Sequence, residues 1–198
     1  MANLKTMGYS GGAVEFGMMN ATIHQLSSHI KVPNYNSSGL SDSKLPDAQA
    51  GYEKAFTSVL ASMGGSNYIH HAAGMLESML TIAHEQFVID DEIIGNCCKV
   101  LKGIEVDEEH LALEVIDSVG PGGDFMTSPH TMAHLRTEYY NGNGLTDRKS
   151  RDKWEAADSL DTRQRALAIA KKLLETPQPS YIPEKIDKAI RKKFNILL

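Results

Sequence analysis

Two short extended runs, each followed by a turn and then a long helix, limit the folds open to this chain more than any other feature. The first is KVPNYNS, where Pro33 disfavours helix at Val32 and biases it toward extended backbone. Proline suits only the first residue or the edge of a strand, so a strand is expected over residues 32–36. The polar loop SSGLSDSKLP (37–46) follows. A helix then opens near Pro46-Asp47, with proline in its first turn and an aspartate at the positive end of its dipole. Gly64-Gly65 closes it. A second strand is expected at 67–72 and a helical region from 76 to 102, with a break near Asp90-Asp91. Short strands alternating with such helices predict parallel βα units, and therefore an α/β fold.

Phe16, Met19, Ile23, Leu26 and Ile30 recur at spacings of three and four, which predicts an amphipathic helix over 16–30 with these residues inward. In the next helix Ala48, Tyr52, Ala55, Phe56, Val59, Leu60 and Met63 are expected to face the core. Further along, Asp107 is placed to cap a helix that Gly120-Pro121-Gly122-Gly123 ends. Phe125-Met126 is expected as a third short strand, and Ser128-Pro129 opens a helix reaching Thr137. Helices are expected at 147–158, 161–175 and 184–195, with a linker at 176–183. About three βα units are visible, whereas an eight-stranded α/β barrel needs eight in roughly 250 residues. The chain therefore reads as a small open α/β fold or as the later part of a larger barrel.

Composition narrows the function classes. A net charge of −5 across 198 residues lacks the basic excess of a nucleic-acid binder. No apolar run approaches the roughly 20 residues that cross a bilayer, and the first residues lack the apolar core of a signal peptide. The two cysteines, Cys97 and Cys98, are adjacent and form no disulfide framework or zinc set. Their expected role is packing in a reducing compartment, and a cytoplasmic location is expected.

The densest candidate site is residues 41–55, where Asp42, Lys44, Asp47, Gln49, Glu53 and Lys54 crowd just after a strand end. Ligands bind at that place in α/β folds. The alternative is a solvated loop with capping residues. The second candidate is NYIHHAAGMLES (67–78). Adjacent histidines in a strand point to opposite faces, so one of His70 and His71 at most faces an interior, and Glu77 lies near the next helix. The alternative is a pair of satisfied core or rim histidines. His130 and His134 have the spacing of a metal pair on a helix, but no third ligand accompanies them in sequence, and no metal is expected. His84-Glu85 lacks the second histidine of a zinc-protease motif, and GPGGDFM lacks the spacing and lysine of a phosphate loop.

Five segments together resemble the trimethylamine methyltransferase family. They are GGAVEFGMMNA (11–21), GLSDSKLPDAQAGYEKAFTSVLASMGGSNYIHHAAGMLES (39–78), EQFVIDDEIIG (85–95), VGPGGDFMTSPHTMAHLRTEYY (119–140) and DRKSRDKWEAAD (147–158). The resemblance implies the C-terminal part of a TIM-type (β/α)8 barrel, with a partial barrel over residues 1–140 and a helical C-terminal extension over 141–198. It implies methyl transfer from trimethylamine or a quaternary amine such as glycine betaine to the Co(I) corrinoid of a partner protein, with no cofactor bound directly. On that reading Lys44 and Asp42 are the expected catalytic residues, and Tyr35, Tyr68, His71, Glu77 and Gln49 the expected substrate contacts. Trimethylamine-specific members carry pyrrolysine, which would fall near residues 35–45; every residue here is standard, and Lys44 lies in that stretch. Self-association, or pairing with the missing N-terminal barrel half, is expected. The competing reading is a non-catalytic fragment or binding module that docks a corrinoid protein.

Overall fold

The computed structural model describes residues 1–177 and 180–196, so the expected linker at 176–183 lies partly outside the described residues. The chain runs through helix α1 (Val14–His29), strand β1 (Tyr35–Ser37), helix α2 (Ala48–Met63) and strand β2 (Tyr68–His70). β1 and β2 pair in parallel, with Tyr35 opposite Tyr68, Asn36 opposite Ile69 and Ser37 opposite His70. A parallel pair needs a long crossover, and α2 supplies it. Asp47 caps α2 by accepting from the Ala50 amide at 3.0 Å, as the Pro46-Asp47 signal predicts.

Residues 75–82 depart from the expected helix. Strands β3 (Met75–Leu76) and β4 (Thr81–Ile82) form an antiparallel hairpin around a 3-10 turn at Glu77–Met79. The β-branched Thr81-Ile82 pair favours strand over helix, and Glu77, Ser78 and Met79 all have positive φ. Helix α3 (His84–Lys102) begins only after the hairpin and runs through Asp90-Asp91 without a break. The third strand expected at Phe125-Met126 does not form, because Asp124 Oδ1 accepts from the Met126 amide and Ser128 N bonds Phe125 O, which folds the segment into turns. Short helices α4 (Glu108–Leu111), α5 (Leu113–Val119), α6 (Pro129–His134) and α7 (Arg151–Glu155) follow, then α8 (Thr162–Glu175) and α9 (Glu184–Lys193). The α6 helix stops three residues short of Thr137, whose amide bonds His134 O in a tighter turn.

Packing inverts the expected orientation of the first two helices. α1 buries Gly17, Asn20 and His24, while Met19, Ile23, Leu26 and Ile30 face outward. α2 buries Ala50, Lys54, Thr57, Ser58 and Ala61, while Tyr52, Phe56 and Met63 face outward. The reason is close approach: Gly17 leaves room for Thr57, and a methyl group there would sit within about 3.2 Å of the Thr57 Cα. Two stripes of small and polar side chains thus form the α1–α2 contact. The apolar core lies instead between α3 and α8, where Val88, Leu145, Ala166 and Ala170 meet with Ile89 and Ile169 against them. Residues on both sides of the expected 140/141 boundary share this one core. α9 buries no residue. Among the described residues no helix is long and apolar enough to cross a membrane.

Candidate functional site

The C-terminal ends of the parallel strands, Ser37 and His70, lie side by side, and the loops that follow carry most of the expected site residues. Side chains alternate along a strand, so Tyr35 and Ser37 share one face of the ladder with Tyr68 and His70, while Asn36 and Ile69 share the other. Ile69 lines a cleft with Ser58 and Ser62 of α2 and Ile94 and Cys97 of α3, so the helices cover its face; Tyr68 also borders this cleft. The opposite face is open: Tyr35 is 69% exposed and Tyr68 is 64% exposed. His70 sits against both tyrosines, with ring centroids 5.2 Å from Tyr35 and 6.4 Å from Tyr68.

His71 joins the same face, contrary to strict alternation. Its φ of 63° places it in the left-handed region, which turns its ring back toward His70 at a centroid distance of 4.2 Å. Ser37 Oγ bridges the two imidazoles, 2.8 Å from His70 Nε2 and 3.1 Å from His71 Nδ1. The outcome is an open wall of four rings and a hydroxyl. The two tyrosine faces of this wall attract cations.

Asp42, Lys44 and Glu77 form a second group. They line a cavity of about 430 Å³ with Asn3, Ser10 and Ser78. Asp42 is a knot rather than a free carboxylate. Its Oδ2 accepts from Ser10 Oγ, and its Oδ1 accepts from Ser78 Oγ and from the Gly11 and Gly12 amides at 3.0 and 3.2 Å. Burial alone would raise its pKa, but the hydrogen bonds from Ser10, Ser78, Gly12 and Gly11 prevail and hold it below the usual carboxylate value. Lys44 is exposed and donates from Nζ to the Asp42 carbonyl at 2.8 Å. Glu77 Oε2 accepts from Thr81 Oγ1 at 2.9 Å, and the Glu77 amide bonds Ser43 O at 2.8 Å.

Three consecutive non-glycine residues at positive φ, Glu77 to Met79, form the floor beside Asp42. Each such residue costs on the order of 1–3 kcal/mol and persists only where the surroundings fix it, and such strain concentrates at functional sites. Here the Ser41 and Ser43 carbonyls and the Asp42 carboxylate fix it. Gln49 belongs to neither group. Its Nε2 donates to Glu53 Oε1 at 2.9 Å, while Glu53 Oε2 accepts from Ser41 Oγ and the Asp42 amide. Gln49 therefore braces the loop that presents Asp42.

Sequence reasoning missed Ser37, Ser10 and Ser78, whose hydroxyls carry no spacing signal. It placed Lys54 in the 41–55 cluster but missed that Lys54 is buried behind the site and paired with Asp90. Lys54 does leave a trace, because it lies in the run Ala50, Lys54, Thr57, Ser58, Ala61 at helical spacing.

Comparison with known proteins follows the same segments. The family described as "Trimethylamine methyltransferase (MTTB)" matches residues 1–195. The trimethylamine methyltransferase MttB of Desulfitobacterium hafniense (strain DSM 10664 / DCB-2) is 39% identical over 189 residues, which cover 96% of this chain and 38% of that protein. A glycine betaine methyltransferase of D. hafniense strain Y51 is 35% identical over 198 residues, covering all of this chain and 40% of the relative. The trimethylamine methyltransferase MttB of Methanosarcina barkeri (strain Fusaro) is 39% identical over 150 residues, 76% of this chain and 30% of its own length. The chain thus spans less than half the length of each of these relatives.

Proposed function

The chain belongs to the trimethylamine methyltransferase family, and from that premise we propose that it forms the C-terminal part of a cytoplasmic (β/α)8-barrel enzyme that moves a methyl group from a methylated amine to the corrinoid of a partner protein. The observation that carries this reading is the wall made by Tyr35, Tyr68, His70 and His71. It lies on the ladder face turned away from the helices, which in a closed barrel is the lumen. A trimethylated or quaternary nitrogen is a cation without hydrogen-bond donors, and aromatic faces hold such groups. The corrinoid, carried by its own protein, would supply the Co(I) nucleophile that accepts the methyl group, with the N–C bonding pair left on the amine nitrogen. This chain's residues then need only hold the amine with one methyl toward the open side. The parallel β1–β2 pair joined through α2, with its loops at the strand C-termini, is the unit from which such barrels are built.

The test is steady-state methyl transfer by this chain joined to the missing barrel half, with a corrinoid protein and either trimethylamine or glycine betaine. Tyr68→Ala should raise KM about tenfold, and Tyr68→Phe should keep it within about twofold, because the ring face rather than the hydroxyl holds the cation. An unchanged KM in Tyr68→Ala overturns the aromatic assignment. Asp42, whose oxygens are taken by the chain's own donors, favours the competing reading of a docking module without catalysis. Corrinoid-protein binding without turnover of either amine would decide for that reading.

A further inference from the structure

The fold brings a third ligand to the histidine pair that sequence left incomplete. His110 on α4 and His134 at the end of α6 approach to a ring-centroid distance of 5.3 Å, although 24 residues separate them. One ligand atom each from His110, His134 and Glu138 lies within 4.8 Å of the other two. We propose that His110, His134 and Glu138 bind a divalent transition metal of the zinc class, and that this ion ties α4 to the α6 turn.

Three independent features support the assignment. First, His134 Nε2 is buried and makes no hydrogen bond. It lies 3.3 Å from Glu109 Oε1 outside hydrogen-bond geometry, so this ring nitrogen has a carboxylate beside it but no hydrogen bond. Second, Asp107 Oδ1 meets His110 Nδ1 at 2.6 Å, which leaves Nε2, 3.2 Å from Glu105 Oε2, as the ring atom that would face an ion. Metal-binding histidines characteristically have a carboxylate on the other nitrogen to fix the ring. Third, no apolar side chain of these helices is fully buried. α4, α5 and α6 are four, seven and six residues long and bury no residue, and helices that short do not hold themselves in water. His130 Nε2 meets the Glu109 carbonyl at 2.8 Å, and a coordinated ion would add a second, stronger tie between α4 and α6.

The electrostatics suit a cation. Glu105 Oε2 lies 3.2 Å from His110 Nε2, and Glu109 is beside His134, so carboxylates stand near as a fourth ligand. Among the described residues Lys99 is the cation paired with Glu138, 3.9 Å from its Oε2 and long enough to swing aside. Two histidines and a glutamate form a known zinc set; tetrahedral coordination requires ligand atoms roughly 3.3 Å apart, which small side-chain rotations achieve from the observed spacing.

The test uses the intact chain, stripped with a chelator and titrated with Zn²⁺ against a chromophoric competitor, and with Co²⁺ for its visible absorption. One Zn²⁺ per chain is expected, with Co²⁺ bands of a four- or five-coordinate nitrogen–oxygen site. His110→Ala and His134→Ala should each weaken binding at least a hundredfold, and Glu138→Gln at least tenfold. Asp107→Asn, which leaves the ligands in place, should weaken it about 10–100-fold. His29→Gln, an exposed histidine on α1, should change nothing. Glu138 is exposed and supports no packing, so its variant separates loss of a ligand from loss of fold. Parental affinity in Glu138→Gln and Asp107→Asn, or zinc binding that survives His134→Ala, overturns the proposal.

Discussion

Lys54 Nζ lies 2.9 Å from Asp90 Oδ2, with both side chains only 1% exposed. The pair joins four parts of the chain. Lys54 of α2 also donates to Gly39 O at 2.7 Å, in the loop after β1. Asp90 of α3 also accepts from the Gly74 amide at 2.7 Å, beyond β2, and from Gln86 Nε2 at 2.8 Å. Burial drives the Lys54 pKa down and the Asp90 pKa up, and their mutual attraction opposes both. Removing one member leaves a buried charge uncompensated, which costs about 3–5 kcal/mol. Lys54→Met should therefore lower stability by that amount in urea unfolding. Lys54→Met with Asp90→Asn should recover part of it, because asparagine is neutral yet still accepts from the Gly74 amide. A double variant as unstable as the single one would show that the charge itself is not the cost.

Gly74 holds its own place in this clamp. Its φ of +80° lies in the region that side-chain-bearing residues avoid, and its amide is the one Asp90 holds. Gly74→Ala should cost about 1–2 kcal/mol from backbone conformation alone. The Phe87 ring beside it must also move. Thermal unfolding should show the drop, and a melting temperature equal to that of the parent would refute it.

The Asp42 knot carries a definite pH dependence. Its folded-state pKa is depressed, so its hydrogen bonds contribute stability above the unfolded value of about 3.9, and that stability is lost as pH falls through the folded value. The segment before α1, tied to Asp42 through Ser10, Gly11 and Gly12, should therefore open as pH falls below about 4, before the α3–α8 core does. Asp42→Asn should give the same opening at neutral pH. Limited proteolysis near residues 1–12 reads both effects, and cleavage there that is no faster at pH 3 than at pH 7 would contradict the account.

Element boundaries were legible where the signal is local. Pro46-Asp47 started α2 and Gly64 ended it; β2 fell inside the expected 67–72, while β1 began three residues after the expected start at 32 and ended one residue beyond 36. What stayed hidden depends on distant partners. The inward face of α2 is small and polar, and Lys54 is buried only because Asp90 comes from 36 residues away. Apolar periodicity alone assigns such a helix the wrong face. The left-handed backbone at His71 defeated the alternation rule, which assumes an unbroken strand. His110 became visible as a partner of His134 only once α4 and α6 had docked.

The outward apolar stripe of α1 yields the last prediction. Ile23 is 54% exposed and Leu26 is 59% exposed, and Met19 and Ile30 extend the same line. On α2, Tyr52, Phe56 and Met63 are likewise uncovered. Contiguous apolar surface of this kind marks contact with another protein surface. The β1–β2 ladder is two-stranded, so among the described residues each strand has an edge without a strand partner, the kind of edge that recruits further strands. The chain spans 38–40% of the D. hafniense relatives, so the occupant proposed for both features is the remaining part of the barrel. The chain on its own should self-associate at micromolar concentration and bind a hydrophobic dye. Adding the missing part should give a defined complex and suppress the dye signal. Ile23→Lys with Leu26→Lys should reduce self-association and weaken the complex together, since both use one face. Light scattering that finds a compact monomer of the unaltered chain, with no dye binding, would sink this prediction.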